Sequence, residues 1–190
     1  MKPVPGIAAS EFILGGQKSG KSRRAELLAR QWMQADPAHA ATLIATAQPW
    51  DDEMRQRIAR HQRERAERVP GMQTLEEPRA LAQAIARASQ PHTLLVVDCL
   101  TLWLTNWLMP MQEQDALPTP PVAELLQAIS QAAGPVVVVG NEIGLGVIPM
   151  GAETRAFVDT LGRLNQDVAA ICQRVTLMAA GLPLTLKGSP

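Results

Sequence analysis

One stretch constrains this chain more than any other: "FILGGQKSGKSRRAELLARQW", which starts at Phe12. It places Gly15, Gly20, Lys21 and Ser22 in the spacing G-x-x-x-x-G-K-S, directly after an apolar strand-like run and directly before a helical one. Glycines let a backbone wrap closely around a phosphate chain. Successive amide N–H groups then point inward, and the following helix adds the positive end of its dipole. In such a loop, Lys21 reaches the terminal phosphates and Ser22 supplies a hydroxyl to Mg²⁺. A strand, a phosphate-binding turn and a helix at the start of a chain predict an α/β sheet.

The remainder of the sequence agrees. Apolar runs at 12–16, 41–46, 93–98, 135–140, 174–180 and 182–187 alternate with helical patterns at about 20–34, 51–67, 78–88, 121–133 and 153–172. Several runs are apolar without alternation, as expected of parallel strands covered on both faces. The expectation is one α/β domain of P-loop NTPase-like type, a mostly parallel sheet flanked by helices. It spans 12–190, with 1–11 as an N-terminal extension and a Pro-rich surface loop at 109–121. The length of 190 residues suffices for one core without staples.

Composition closes off other classes. Lys and Arg total 18, as do Asp and Glu. That balance argues against a nucleic-acid partner. The two cysteines, Cys99 and Cys172, match no disulfide or zinc spacing, and the N-terminus is too polar for a signal peptide. A cytoplasmic location is the expectation. The one candidate span, "TLLVVDCLTLWLTNWLM", carries Asp98 in its middle, so a buried strand running into a helix is the reading instead.

Asp98 ends the run "TLLVVD" and is the acidic residue a phosphate loop needs for Mg²⁺. It also stands where a helix N-cap would. "DDEMRQRIARHQRER" (51–65) reads as a charged helix with an odd member, His61. Met54, Ile58, His61 and Arg65 share one face, so the imidazole is expected to point inward with that stripe. Two readings follow: a histidine at a core edge, or an imidazole beside a nucleotide, with arginines neutralising phosphate. Periodicity does not decide between them. His39 and His92 lie in turn-like surroundings and read as structural or solvated. Trp103 and Trp107 read as core. Asn141 and Glu142 follow a strand end, where ligands of open α/β sheets bind, and are equally consistent with an ordinary turn.

With these residues in view, the chain resembles the bifunctional adenosylcobinamide kinase / adenosylcobinamide-phosphate guanylyltransferase family of cobalamin biosynthesis. The matching blocks run in order from about Phe12 to Lys187: "GGQKSGKSRRAE", "IATAQPWDDEMRQRIARHQRER", "TLEEP", "VVDCLTLWLTNW", "NEIGLGVIP" with "RAFVDTLGRLNQDVAA", and "AGLPLTLK". The resemblance implies a phosphoryl transfer from ATP or GTP to the aminopropanol hydroxyl of adenosylcobinamide. It then implies attack of a histidine on the α-phosphate of GTP, with GMP passed on to the phosphorylated corrinoid.

Carried over, the nucleotide-binding set is Gly15, Gly16, Gln17, Lys18, Ser19, Gly20, Lys21, Ser22, Ala45, Thr46, Ala47, Gln62, Arg63, Glu64, Arg65, Glu76 and Asp98. Lys21 and His61 are the catalytic residues, His61 carrying GMP, and Ser22 and Asp98 hold Mg²⁺. The resemblance also implies a corrinoid substrate and a homotrimer. Some relatives have two adjacent histidines where this chain has Arg60-His61, and Met72 stands near a place where a tryptophan is usual. The other readings are a P-loop small-molecule kinase with a structural His61, and a nucleotide hydrolase without an acceptor.

Overall fold

The computed structural model describes residues 4–110 and 119–189. Its elements are β1 (Ser10–Gly15), α1 (Lys21–Ala35), β2 (Ala40–Ala45), α2 (Asp52–Arg68), β3 (Gln73–Glu76), α3 (Leu81–Ala88), β4 (Thr93–Asp98), α4 (Leu100–Leu108), α5 (Val122–Ser130), β5 (Val136–Val139), α6 (Ala152–Ile171), β6 (Arg174–Ala179) and β7 (Leu182–Lys187). They build a seven-stranded sheet of order β3-β2-β4-β5-β1-β6-β7. Every pairing is parallel except that of β6 with β7.

The non-alternating runs occupy the centre of this sheet. Leu94, Leu95, Val96 and Val97 of β4 are buried, as is every residue of Val136–Val139 in β5. Their side chains divide between two apolar layers. On one face Phe12, Val97, Val138, Leu100, Trp103 and Leu161 lie together. On the other, Ile13, Val96 and Val137 meet Ala25, Leu28 and Trp32 of α1. Trp103 is core as expected, with Trp107 partly buried against it, their rings 6.4 Å apart edge to face. His39 stacks on Trp32 at 3.8 Å and is structural.

Two elements differ from the sequence reading. β1 starts at Ser10, so Glu11 is a central-strand residue. It sits 1% exposed between Arg24 and Arg174, with Thr176 donating to it. A charged residue before an apolar run reads as a boundary, and only the fold supplies the two arginines that let it go inside. The N-terminal segment ahead of it packs back: Val4 and Ile7 lie against the α1 layer, and Arg174 donates to Gly6 O at 2.8 Å.

β3 is absent from the sequence reading because all four of its residues are exposed and no apolar run marks it. α4 is the helix foreseen after Asp98, now with bounds. The Pro-rich loop falls largely on 111–118, outside the described residues. No helix among the described residues is long and apolar enough to cross a membrane.

Candidate functional site

β1 delivers the chain into the glycine-rich turn and α1 takes it away again. Gly20 caps α1 with a left-handed φ of 98°, which favours glycine. At Gly15 a Cβ would lie 2.5 Å from the Met178 carbonyl and 2.6 Å from Ser19 Oγ, so only glycine fits between β1 and β6. Lys21 is buried and its Nζ donates to Gly16 O at 2.6 Å, lying back along the loop. Burial pulls its pKa below the usual lysine value, while Cys99 and Asp98 oppose that shift and Arg57 reinforces it. Ser19 is buried beneath the loop and Gly16, Gln17 and Lys18 are exposed on it. Ser22 is half-buried in the first turn of α1.

The strand order sets what faces this loop. β5 separates β1 from β4, so Asp98 ends one strand beyond β1's immediate neighbour. Asp98 is half-buried, and its charge acts on both Lys21 and Arg65. It does not cap α4, whose first turn receives no side-chain cap.

Behind it lies a polar brace. The Thr46 hydroxyl donates to Cys99 O at 2.7 Å and accepts from Cys99 N at 2.8 Å. Asn106, fully buried in α4, donates to Thr46 O and Pro78 O. Of the Ala45, Thr46 and Ala47 segment, the Thr46 side chain is thus committed to holding β2 against the end of β4. Burial, with the Asp98 charge next, pushes the Cys99 thiol up to about 12, and burial pushes Cys172 up to about 11. Neither is a nucleophile at neutral pH.

α2 stands over the β2 side of this edge. Asp51 caps it, accepting from Met54 N at 2.7 Å, and its C-terminal end is tied to α1 by the Arg68–Glu26 ion pair. Met54, Ile58, His61 and Arg65 are half-buried while the intervening positions are exposed. The predicted stripe is therefore present, with one correction: no residue of α2 is fully buried, and His61 lies at the edge of solvent. α2 packs against α1 and faces β3 across an open groove, so its inward face is only partly covered. The imidazole makes no hydrogen bond among the described residues.

Between α2 and β3 runs an open groove of about 510 Å³, lined by Gln62, Arg65, Val69, Met72, Thr74 and Glu76 among others. Arg65 donates to Thr74 Oγ1 at 3.2 Å, and burial lowers its pKa while Asp98 opposes that shift. Gln62, Arg65 and Glu76 of the expected set thus come together. Arg63 and Glu64 do not join them: Arg63 is exposed, and Glu64 pairs along the helix with Arg60 and Arg68.

Sequence reasoning passed over Arg57, whose charge reaches Lys21, and Asn106. A lone amide in the otherwise apolar and threonine-containing helix "LTLWLTNWL" was the signal available for Asn106.

A family model described as cobinamide kinase / cobinamide phosphate guanyltransferase matches residues 11–186. The chain belongs to this family. It is 46% identical to the bifunctional adenosylcobalamin biosynthesis protein CobP of Pseudomonas aeruginosa, over 95% of this chain and 98% of that one. It is 31% identical to the bifunctional adenosylcobalamin biosynthesis protein CobU of Escherichia coli, over 93% and 98%. Among solved structures it is similar to the flagellar accessory protein FlaH of Methanocaldococcus jannaschii, with a TM-score of 0.52 at 9% identity. That match covers 96% of this chain and 80% of that one, and it speaks for the fold alone.

Proposed function

We propose that this chain works as its family does, as a cobinamide kinase and a GTP:adenosylcobinamide-phosphate guanylyltransferase, with both transfers at the C-terminal edge of the sheet. ATP and GTP are its nucleotide substrates and the corrinoid is the acceptor. The observation that supports the placement is the strand order: Asp98 ends β4, with β1 and its glycine-rich turn two strands away on one side and β2 and β3, beside the α2–β3 groove, on the other. The phosphate loop and the histidine helix therefore address one acidic centre.

In the first reaction Gly15 to Ser22 cradle the triphosphate, with Lys21 leaving Gly16 O for the terminal phosphate. Positioning and charge neutralisation do most of the work of such transfers. Ser22 and Asp98 offer a hydroxyl and a carboxylate, hard oxygen donors of the kind Mg²⁺ takes alongside phosphate and water. Mg²⁺ held there would neutralise charge on the phosphate oxygens.

In the second reaction an imidazole nitrogen of His61 attacks the α-phosphorus of GTP. The P–N bond forms as the bond to pyrophosphate breaks, and a phosphate oxygen of the corrinoid phosphate then displaces the imidazole. Gln62, Arg65 and Glu76 line the nucleotide's path along the α2–β3 groove, with the backbone of Ala45 and Ala47 beside it. Arg63 and Glu64 belong to the outer face.

Leu182, Leu184 and Leu186 lie exposed on one face of the edge strand β7, an apolar strip suited to the subunit contacts of a homotrimer. Two buried, unpaired thiols suit the reducing cytoplasm.

Intact mass after incubation with Mg²⁺ and GTP tests the covalent step. A GMP-sized increment, labile in acid and absent from His61→Ala, is expected. Corrinoid phosphorylation with no adduct would leave a kinase alone, and nucleotide turnover without any acceptor would leave a hydrolase.

A further inference from the structure

Phosphoryl transfer to an alcohol also needs somewhere for the hydroxyl proton to go, and the carboxylates at this edge can be sorted by what they already do. Asp51 caps α2. Glu77 caps the start of α3, accepting from Arg79 N at 3.0 Å and Ala80 N at 2.8 Å. Glu76 lies across the sheet in the α2–β3 groove. Asp98 is the carboxylate proposed above, with Ser22, for Mg²⁺.

Glu142 remains. It follows β5, the strand between the phosphate-loop strand and the Asp98 strand, and its backbone N donates to Gly15 O at 3.2 Å. Its side chain accepts one hydrogen bond, from Gly144 N at 3.1 Å, and makes no ion pair among the described residues. The residue before it is held rigidly. Asn141 donates from its backbone N and from Nδ2 to Thr101 Oγ1, and its carbonyl accepts from Asn165.

The segment after Glu142 shows what approaches from this side. Residues 143–150 carry no charge, and Leu145, Val147, Ile148 and Met150 are 81%, 95%, 78% and 96% exposed. The far end is anchored, since Arg155 donates to Pro149 O at 3.0 Å. An uncharged strap pinned at both ends, beside a phosphate site whose opposite flank is rich in arginine, suits a large acceptor with apolar edges and not a polyanion. A methyl-fringed corrin macrocycle is of that kind, and a nucleotide is not.

We propose that Glu142 takes the proton of the corrinoid hydroxyl during phosphoryl transfer, and that the strap 143–150 is the surface that holds the corrinoid to it. The proposal rests on the kinase reading above. The acceptor oxygen bonds to the terminal phosphorus, the bond from that phosphorus to the nucleoside diphosphate breaks, and the hydroxyl proton passes to the Glu142 carboxylate and on to water. Glu142 has no part in the attack of His61 on GTP, so the two halves of the enzyme separate its role from a structural one.

The test uses Glu142→Gln, which keeps the shape and the acceptor for Gly144 N. Phosphorylation of adenosylcobinamide by ATP should fall about 100-fold or more in kcat, with KM for ATP unchanged, as removal of a general base does. The GMP adduct formed with GTP alone should appear at the wild-type rate. An unchanged kinase rate overturns the proposal, and so does an equal fall in both reactions. Wild-type protein that passes no phosphoryl group to cobinamide overturns the kinase reading, and the Glu142 assignment with it.

Leu145→Ser should raise KM for adenosylcobinamide about tenfold and leave KM for ATP alone, the scale of one apolar side chain losing its contact. An equal change in both constants, or none, removes the strap from the acceptor site.

Discussion

Lys21, the lysine proposed to reach the terminal phosphate, shows what such a residue costs the fold that carries it. Its ammonium is buried with one carbonyl partner, and desolvation is the largest influence on its lowered pKa. While both native and unfolded chains hold the proton, the whole penalty of burying the charge falls on the native state. Above the lowered native pKa the native state gives up the proton first. The unfolded chain then binds more protons, and stability rises with pH until the ordinary lysine value is passed. Lys21→Met should therefore make the nucleotide-free protein more resistant to urea at pH 7, and that advantage should shrink as the pH is raised through the alkaline range. Gly16 is exposed and loses only a partner that water replaces. The same variant should lose about 10²- to 10³-fold in phosphoryl transfer, the scale for removing one preorganised donor. Lys21 was legible because its spacing from Gly15 and Gly20 is fixed by a local turn. Asn106, and the brace that Thr46 makes with Cys99, were not, because those partners lie far along the chain and no spacing encodes them.

Among elements, α2 carries His61, the residue proposed to hold GMP, on the least protected helix. None of its residues is fully buried, so little apolar area holds it. Its register was readable from the Met54–Ile58–His61–Arg65 stripe, since a helix face is a local property. Its depth was not, because depth depends on how much of the sheet margin lies beneath it. What secures it is polar: the Asp51 cap, the Arg65–Thr74 bond and the Arg68–Glu26 ion pair, whose carboxylate is 5% exposed. Arg68→Met leaves that carboxylate buried without a partner, at about 2 kcal/mol. Backbone amides of α2 should then exchange faster while those of β4 and β5 keep their protection. GMP-adduct formation should fall more than corrinoid phosphorylation, because His61 rides on this helix and Lys21 does not. Adding Glu26→Leu should recover part of the loss by removing the stranded charge. Recovery absent from hydrogen exchange and urea melts alike would assign the tether elsewhere.

For the molecule as a whole, the alternation of runs announced a parallel sheet, and five central strands were legible from apolar composition alone. Strand order was not, because it is decided by which crossovers bury which faces. That order places β1 between β5 and β6, in the interior of the sheet, and so fixes the surroundings of Glu11. Its carboxylate gathers Arg24 from α1, Arg174 and Thr176 from β6, and through Arg174 the N-terminal segment at Gly6. One residue that reads as polar flanking sequence thus ties together three elements on the strand that feeds the phosphate loop. Arg174 is 8% exposed and its Nε already lacks a partner, so Glu11→Leu would strand a buried cation. The expected cost is about 3–5 kcal/mol of unfolding free energy, a large share of what a domain of this size holds in reserve. The loss should appear as one cooperative shift in the urea midpoint rather than a separate early transition, since β1 lies inside the sheet and cannot open alone. At a temperature where the variant remains folded, kcat for both transfers should match the wild type, because Glu11 stands at the opposite end of β1 from Gly15. A selective fall in kcat without loss of stability would mean that the network tunes the phosphate loop itself.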